Sequence, residues 1–432
     1  MKKKSNTKTK VNSKSKNQEN TIFVQIAAYR DNQLLPTLKD MLENAKHPEN
    51  LRICICWQHC GEDAWDNLDE YKNDPRFKIL DVDYKQSQGV CWARNQVQQH
   101  YNGEKWTLQL DSHHRFIKNW DEELIVMLEQ LKKKGHEKPL LTAYIPSFNP
   151  ENDPAERHPE PWKMNFDRFI PEGAVFFLPG SIDNWRSLNG PIPSRFYSAH
   201  FCFAPGSFAV EIQHDPNYYF HGEEISIAVR AFTHGYDLFH PHKVVVWHEY
   251  TRKGRTKQWD DDPIWVERNN NCHKRNRKLF EMDGEIKDID FGKYDFGTVR
   301  TLEDYEKYSG LNFKKRAVQQ FTLDLNSPPN PDIADPVEYE RSFLNIFKHC
   351  IDIYYSQLNH DDYDFWVVSF EMKDGTVIHR RDADENEINH MKQDKDYMKV
   401  WREFNTDVRP EKWVVWMHSK SAGWVDRYEG YF

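Results

Sequence analysis

Two near-continuous apolar runs, residues 22–28 (IFVQIAA) and 51–57 (LRICICW), flank a helix-length stretch at 34–44. A strand that is apolar at successive positions must be covered on both faces, as in a parallel sheet sandwiched by helices. The pattern is a β-α-β opening, and it continues. Residues 77–82 read as strand, 89–100 as helix, 106–110 as strand and 121–134 as helix, with Leu124, Ile125, Leu128 and Leu131 at helical spacing. The first 140 residues therefore predict a nucleotide-binding α/β half-domain. Neither GxGxxG after the first strand nor GxxxxGK[ST] occurs, so a nucleotide would be held by neither a dinucleotide fingerprint nor a P-loop.

Residues 146–195 are rich in Pro, Asn and Asp and read as long loops over a sheet edge. A second regular block follows: 199–204 as strand, 223–234 as helix closed by Gly235, and 243–247 as strand. Residues 260–310 read as peripheral helices and loops, and the Pro-rich 326–336 as a linker. Beyond it, 339–357 reads as a helix, and 364–371, 375–380 and 412–417 read as strands, with a turn at Asp374-Gly375. That predicts a small α+β or β-rich accessory domain. No internal repeat is present.

The chain of 432 residues has 38% hydrophobic and 14% aromatic residues, enough for a core and for many flat stacking surfaces. Its mean hydropathy of −0.89 and lack of a long apolar run exclude a membrane-spanning helix. Residues 1–20 hold seven Lys and one Glu, a balance of +6, against −9 for the whole chain and hence −15 for the rest. The tail reads as a disordered solvated arm, and the acidic body argues against a nucleic-acid partner. Seven cysteines, an odd number without a secretion signal, point to a reducing, cytoplasmic setting. Cys54, Cys56 and Cys60 read as core packing rather than a zinc site.

Four features could carry chemistry. The strand ending LQLDSHH puts Asp111 and His113 at its carboxyl end, a pair suited to Mn²⁺ or another divalent cation; alone it reads sooner as a helix-capping Asp beside two surface histidines. VVVWHE ends a second apolar run in His248, a third ligand or a plain rim histidine. Glu223 and Glu224 open an amphipathic helix, where acids also simply suit the helix dipole. Gly89 leads a helix carrying Arg94, otherwise an ordinary surface Arg.

In order, these four features resemble the GT-A glycosyltransferases. Asp111-Ser112-His113 and the segment from Gly89 to Arg94 look like the Asp-Ser-His and Gly-x-x-x-Ala-Arg of the polypeptide N-acetylgalactosaminyltransferases. The run from about 21 to 312 more specifically resembles the polypeptide N-acetylglucosaminyltransferases that modify hydroxyproline on a ubiquitin-ligase subunit in the cytoplasm of protists. The segments behind this are QIAAYRD (25–31), CWARN (91–95), LQLDSHHRF (108–116), FHGEEISIAVRAFTHGYDLFHP (220–241), VWHEY (246–250) and FGTVRTLEDYEKYSG (296–310).

The resemblance implies a Rossmann-like mixed sheet with helices on both faces over 21–325, ahead of the linker at 326–336 and the accessory domain read at 337–432. It implies a retaining, metal-dependent transfer of N-acetylglucosamine, or a related sugar, from a UDP donor to a hydroxyl of a protein or glycan. Asp111, His113 and His248 would hold Mn²⁺. Ala27, Tyr29, Arg30, Asp81 and Ser112 would receive the nucleotide-sugar, and Arg94 would face the diphosphate or support the metal loop. Glu223 and Glu224 would reach sugar hydroxyls or the reacting centre. Arg252, Lys253, Arg255, Lys257 and Trp259 would close over the leaving diphosphate. A binding module that keeps the fold without turnover is the alternative. The last 100 residues have no counterpart in the resemblance, and Trp366, Trp401, Trp413, Trp416 and Trp424 there would serve as core or as a ligand platform.

Overall fold

The computed structural model describes residues 20–252, 254–391 and 396–432; the basic tail up to residue 19 and Lys253 lie outside them. The chain opens with β1 (Ile22–Tyr29), α1 (Leu34–Asn44), β2 (Leu51–His59), β3 (Phe77–Asp83), α2 (Val90–Gln98) and β4 (Trp106–Asp111). Next come β5 (His114–Phe116), α3 (Trp120–Lys133), β6 (Pro139–Thr142), β7 (Trp162–Phe169), β8 (Val175–Ser181), β9 (Ile192–Pro193) and β10 (Phe201–Pro205). After the one-turn α4 (Phe208–Glu211) follow α5 (Glu223–Thr233), β11 (Asp237–His240), β12 (Val246–His248), α6 (Gln258–Asp261), α7 (Trp265–Phe280) and α8 (Leu302–Ser309).

The main sheet has eight strands in the order β3-β2-β1-β4-β10-β6-β11-β9. The first four pair in parallel, as the apolar runs predict. β10 runs antiparallel to both its neighbours, and β9 antiparallel to β11, so the sheet is mixed. Both faces of β2 are covered: Ile53, Ile55 and Trp57 join a core with α1 and α3, while Cys54 and Cys56 pack with Ala93 and Val97 of α2. The paired cysteines are thus packing residues. Each apolar side chain buried here is worth about 1.5–3 kcal/mol relative to exposure.

Two expectations are overturned. The stretch 146–195 is not all loop: β7 and β8 form a long antiparallel hairpin inside it. Met164, Phe166, Phe169, Val175 and Phe177 bury one side of this ribbon, an alternation that the flanking Pro and Asp residues obscured. The helix expected over 339–357 is confined to Pro336–Arg341, capped by the Asp335 carboxylate, which accepts from the Val337 and Glu338 N–H groups. Residues 346–354 are strand instead, because IFKHCIDIY buries Phe347, Ile351 and Ile353 at a period of two, on the packed side of a sheet rather than along a helical stripe.

The remaining elements are β13 (Leu311–Asn312), β14 (Ala317–Gln319), α9 (Gln320–Leu323), α10 (Pro336–Arg341), β15 (Phe343–Leu344) and β16 (Ile346–Tyr354), then β17 (Tyr363–Glu371), β18 (Val377–Arg380), β19 (Ala383–Asp384), α11 (Glu385–Met391), β20 (Tyr397–Asn405), β21 (Lys412–Ser419) and β22 (Gly423–Tyr431). Here β16 pairs with β20 along its whole length, and β18-β17-β21-β22 form a sheet. A separate apolar core lies within residues 347–417. Trp366 is wholly buried in it and Trp413 packs against it, whereas Trp401, Trp416 and Trp424 are exposed. This part touches the rest through the β7–β8 hairpin. Lys348 Nζ pairs with Asp167 at 2.5 Å, and the Arg168 guanidinium lies over both Trp401 (5.2 Å) and Phe176 (4.8 Å).

Candidate active site

β1 and β4 are hydrogen-bonded neighbours, with Ala27 opposite Asp111. The strand order reverses between them, and the crevice beyond the carboxyl ends at such a reversal is where α/β sheets bind ligands. A cavity of about 140 Å³ lies there, lined by Ala27, Tyr29, Ser112, His113, Tyr219 and Lys257 among others. A second, of about 280 Å³, adjoins it, and Arg94, Asp111, Phe220 and Arg252 line both.

Asp111 ends β4, and the chain then turns into β5, which pairs antiparallel with β12 so that His114 stands opposite His248. This ribbon delivers His248 to Asp111 from 137 residues away in the sequence. One ligand atom each from Asp111, His113 and His248 lie within 4.8 Å of one another. His248 Nε2 is 3.5 Å and His113 Nε2 3.8 Å from Asp111 Oδ2. His113 Nε2 and both ring nitrogens of His248 are buried without a hydrogen-bond partner. Such orphaned nitrogens beside a carboxylate fit a divalent cation of intermediate hardness. Burial and the neighbouring His200 push the His248 imidazole well below its ordinary pKa, keeping it neutral with the lone pair of one ring nitrogen free. Behind the group, Asp31 orients His113 through Nδ1 at 2.7 Å, as carboxylates orient metal-binding histidines. The Ser112 hydroxyl also donates to Asp31, at 2.6 Å.

Arg94 projects from α2, whose start at Gly89 has φ +105°; a Cβ there would come 2.8 Å from the Tyr219 ring. Its guanidinium grips Glu223 with Nη1 at 2.9 and 3.0 Å and reaches Asp111 with Nη2 at 2.7 Å. Burial opposes ionisation of Glu223, but Arg94, followed by His214 and the Cys91 thiol, holds it down to about 2. Cys91, His214 and Glu223 also cluster like metal ligands. The Arg94 cation already sits on that carboxylate, however, and burial keeps the Cys91 thiol protonated, so the cluster is a hydrogen-bonded brace.

Glu224, one residue on, faces the larger cavity. It accepts from the Ala199 N–H at 2.9 Å and the Tyr144 hydroxyl at 2.8 Å. Burial outweighs these bonds and raises its carboxyl to about 7. The two acids that look equivalent in sequence are therefore shifted in opposite directions.

Of the residues expected to hold a nucleotide-sugar, Ala27, Tyr29, Ser112, Arg252 and Lys257 line the smaller cavity, as do Arg255 and Trp259. The Tyr29 hydroxyl donates to Asp261 at 2.7 Å. Arg30, at φ +41°, turns aside to Asp63 and Asp261, and Asp81 pairs with His59; neither is among the lining residues of these cavities. Sequence reasoning passed over Tyr144 and His200, which stand just beyond β6 and just before β10 with no local motif to mark them. Asp31 ends the AAYRD segment and was legible only as part of it.

The Glycosyltransferase (GlcNAc) family model matches residues 21–76 and 69–315, about two thirds of the chain. The chain belongs to this family. It is a glycosyltransferase of mixed α/β fold with an additional β-rich C-terminal region. No curated protein matches the sequence significantly. Among solved structures, GalNAc-T7 with UDP, GalNAc and Mn²⁺ is 14% identical, with a TM-score of 0.45, over 66% of this chain and 56% of that one. The chain thus spans little more than half of GalNAc-T7. Residues 1–349 of S. aureus TarS are 11% identical, with a TM-score of 0.36, over 60% of this chain and 73% of that one. The TarS complex with UDP-GlcNAc is 12% identical, with a TM-score of 0.33, over 60% and 74%. No helix among the described residues of this glycosyltransferase is long and apolar enough to cross a membrane.

Proposed function

We propose that this glycosyltransferase moves N-acetylglucosamine, or a closely related sugar, from a UDP donor to a hydroxyl of a protein or glycan, with retention of configuration. The observation that carries the reading is the Asp111, His113 and His248 group, with its orphaned buried nitrogens, at the carboxyl ends of β1 and β4 beside the smaller cavity. A bound Mn²⁺ would supply Lewis-acid stabilisation of the departing diphosphate. The hydroxyproline-modifying enzymes are the subfamily whose motifs it shares, and the cytoplasmic setting inferred from its cysteines goes with that reading.

The chain's own residues do the rest. Ala27, Tyr29 and Ser112 line the wall that receives uridine. Arg252 and Lys257 present positive charge where the diphosphate leaves, an interaction that strengthens as charge develops on the leaving oxygen, while Arg255 is held between Asp31 and Glu249. Arg94 is bound at both ends to carboxylates, so it positions Asp111 rather than gripping phosphate. Glu223 is held by the same guanidinium and keeps that cation in place. Glu224 faces the sugar or the acceptor hydroxyl and, with a carboxyl near neutrality, exchanges a proton there. Residues 21–325 form the catalytic unit, and 337–432 select the acceptor.

Incubating the full chain with UDP-GlcNAc, UDP-GalNAc or UDP-glucose and Mn²⁺ should release UDP, fastest from UDP-GlcNAc. Release should stop with EDTA and in Asp111→Ala. Release unaffected by both would sink the metal assignment, and no release from any donor would sink the reading itself.

A further inference from the structure

The His200 imidazole lies face to face with that of His248, with centroids 4.3 Å apart and planes 17° from parallel, and it lines the larger cavity. Its Nε2 meets two groups, the Ile145 backbone N–H and the Tyr250 hydroxyl oxygen, each at 3.3 Å. Tyr250 has one proton to give, and it goes to the Ile145 carbonyl at 2.8 Å. The buried Ile145 N–H must therefore be accepted by the Nε2 lone pair, since a proton on Nε2 would set two hydrogens against each other. An imidazole whose Nε2 accepts carries its proton on Nδ1. Among the described residues, Nδ1 has no hydrogen-bond partner.

We propose that His200 determines donor specificity: fixed in one tautomer by Ile145, it presents Nδ1–H to the larger cavity and donates to an oxygen of the transferred sugar. This rests on the function proposed above. If UDP occupies the smaller cavity with its diphosphate at Asp111, what lies beyond the diphosphate enters the larger cavity, because Asp111, Arg94 and Arg252 form the boundary between the two. Val175, Phe176 and Phe177 give the lining an apolar stretch, and the polar side chains beside it, His200 and Glu224 among them, decide which oxygens fit. His200 offers a donor and Glu224 a carboxyl, a pairing suited to sugar oxygens, which accept as well as donate. A donor lacking the matching oxygen would leave the Nδ1–H without the partner the site is built to supply, which a hydrogen-bonding site penalises.

The test compares wild type with His200→Gln and His200→Phe, using UDP-GlcNAc, its 3-, 4- and 6-deoxy analogues, and UDP-glucose. The Gln amide oxygen can still accept from Ile145 but leaves no donor at the Nδ1 position, and Phe keeps the ring stacked on His248. Both kcat/KM for UDP release and donor affinity by calorimetry are measured, so that the comparison survives even if turnover is absent and the functional reading fails. At least one analogue should lose about tenfold or more in the wild type and less than about threefold in the variants, while affinity for UDP itself changes little. If the Phe variant does not fold, the Gln variant alone decides. Equal losses in all proteins, or no loss with any analogue in the wild type, would overturn the proposal.

Discussion

Replacing Arg94 by Met removes one cation from between two acids. Its guanidinium makes three short contacts with Glu223 and Asp111, and the Arg94 and Glu223 side chains are 4% and 7% exposed. Stripping a buried ion pair of one partner costs about 3–5 kcal/mol. The depression of Glu223 to about 2 from the ordinary 4.5 gives a similar scale, roughly 3 kcal/mol at 1.4 per unit. The sign follows from the direction of that shift. A carboxyl lowered in the folded state contributes stability that is fully present above about 4.5 and is lost as pH falls toward 2. In Arg94→Met, Glu223 loses its cation and its pKa rises, so this contribution vanishes and protonation as the pH falls relieves the buried charge instead. Urea denaturation of the full chain, followed by near-UV circular dichroism in EDTA between pH 5 and 8, should show the variant about 3 kcal/mol less stable at pH 7. The deficit should shrink toward pH 5. A loss under about 1 kcal/mol at pH 7, or a deficit that does not change with pH, would refute the shared-cation account.

Glu224 titrates the other way. Its carboxyl is raised to about 7, so it contributes stability below about 4.5 that is lost as pH rises through 7; Glu224→Gln should therefore resist urea better than wild type at pH 8, with kcat at least about 100-fold lower. Equal stability of the two proteins at pH 8 would contradict a buried, easily protonated acid. Mn²⁺ at about 100 times its dissociation constant should stabilise the wild type by about 2.7 kcal/mol, and calorimetric melting should show this gain lost in His248→Ala. Trp401→Ala should lower transfer to the acceptor more than UDP release without acceptor, because Trp401 is an exposed ring of the region proposed to select the acceptor; parallel losses in both rates would show the C-terminal region to be part of the catalytic core.

Local signals were sufficient where an element is decided by its own burial pattern. The runs at 22–28 and 51–57 read as strands covered on both faces, and α5 shows its stripe, its acidic opening at Glu223 and its stop at Gly235 in the sequence. Signals failed where strength came from a distant partner. β16 was read as helix because nothing in residues 346–354 announces the nine-residue pairing with β20, and the β7–β8 hairpin was hidden by its proline-rich flanks. Asp31, Tyr144 and His200 illustrate the same limit at the site, since each matters only for what lies across the cavity.

By itself the sequence determined that the chain opens as a parallel sheet layered between helices, and which residue types could carry chemistry at the strand ends, because hydrophobic periodicity and strand termination are local properties. The tertiary structure alone decided what those residues are. Glu223 and Glu224 are adjacent in the chain, yet one is pinned as a carboxylate by Arg94 and the other is pushed toward protonation by burial. His248 reaches Asp111 only because β12 pairs with β5. Charge state and ligand geometry depend on distances of a few ångströms between segments far apart in the chain, and no local pattern of residues encodes those distances.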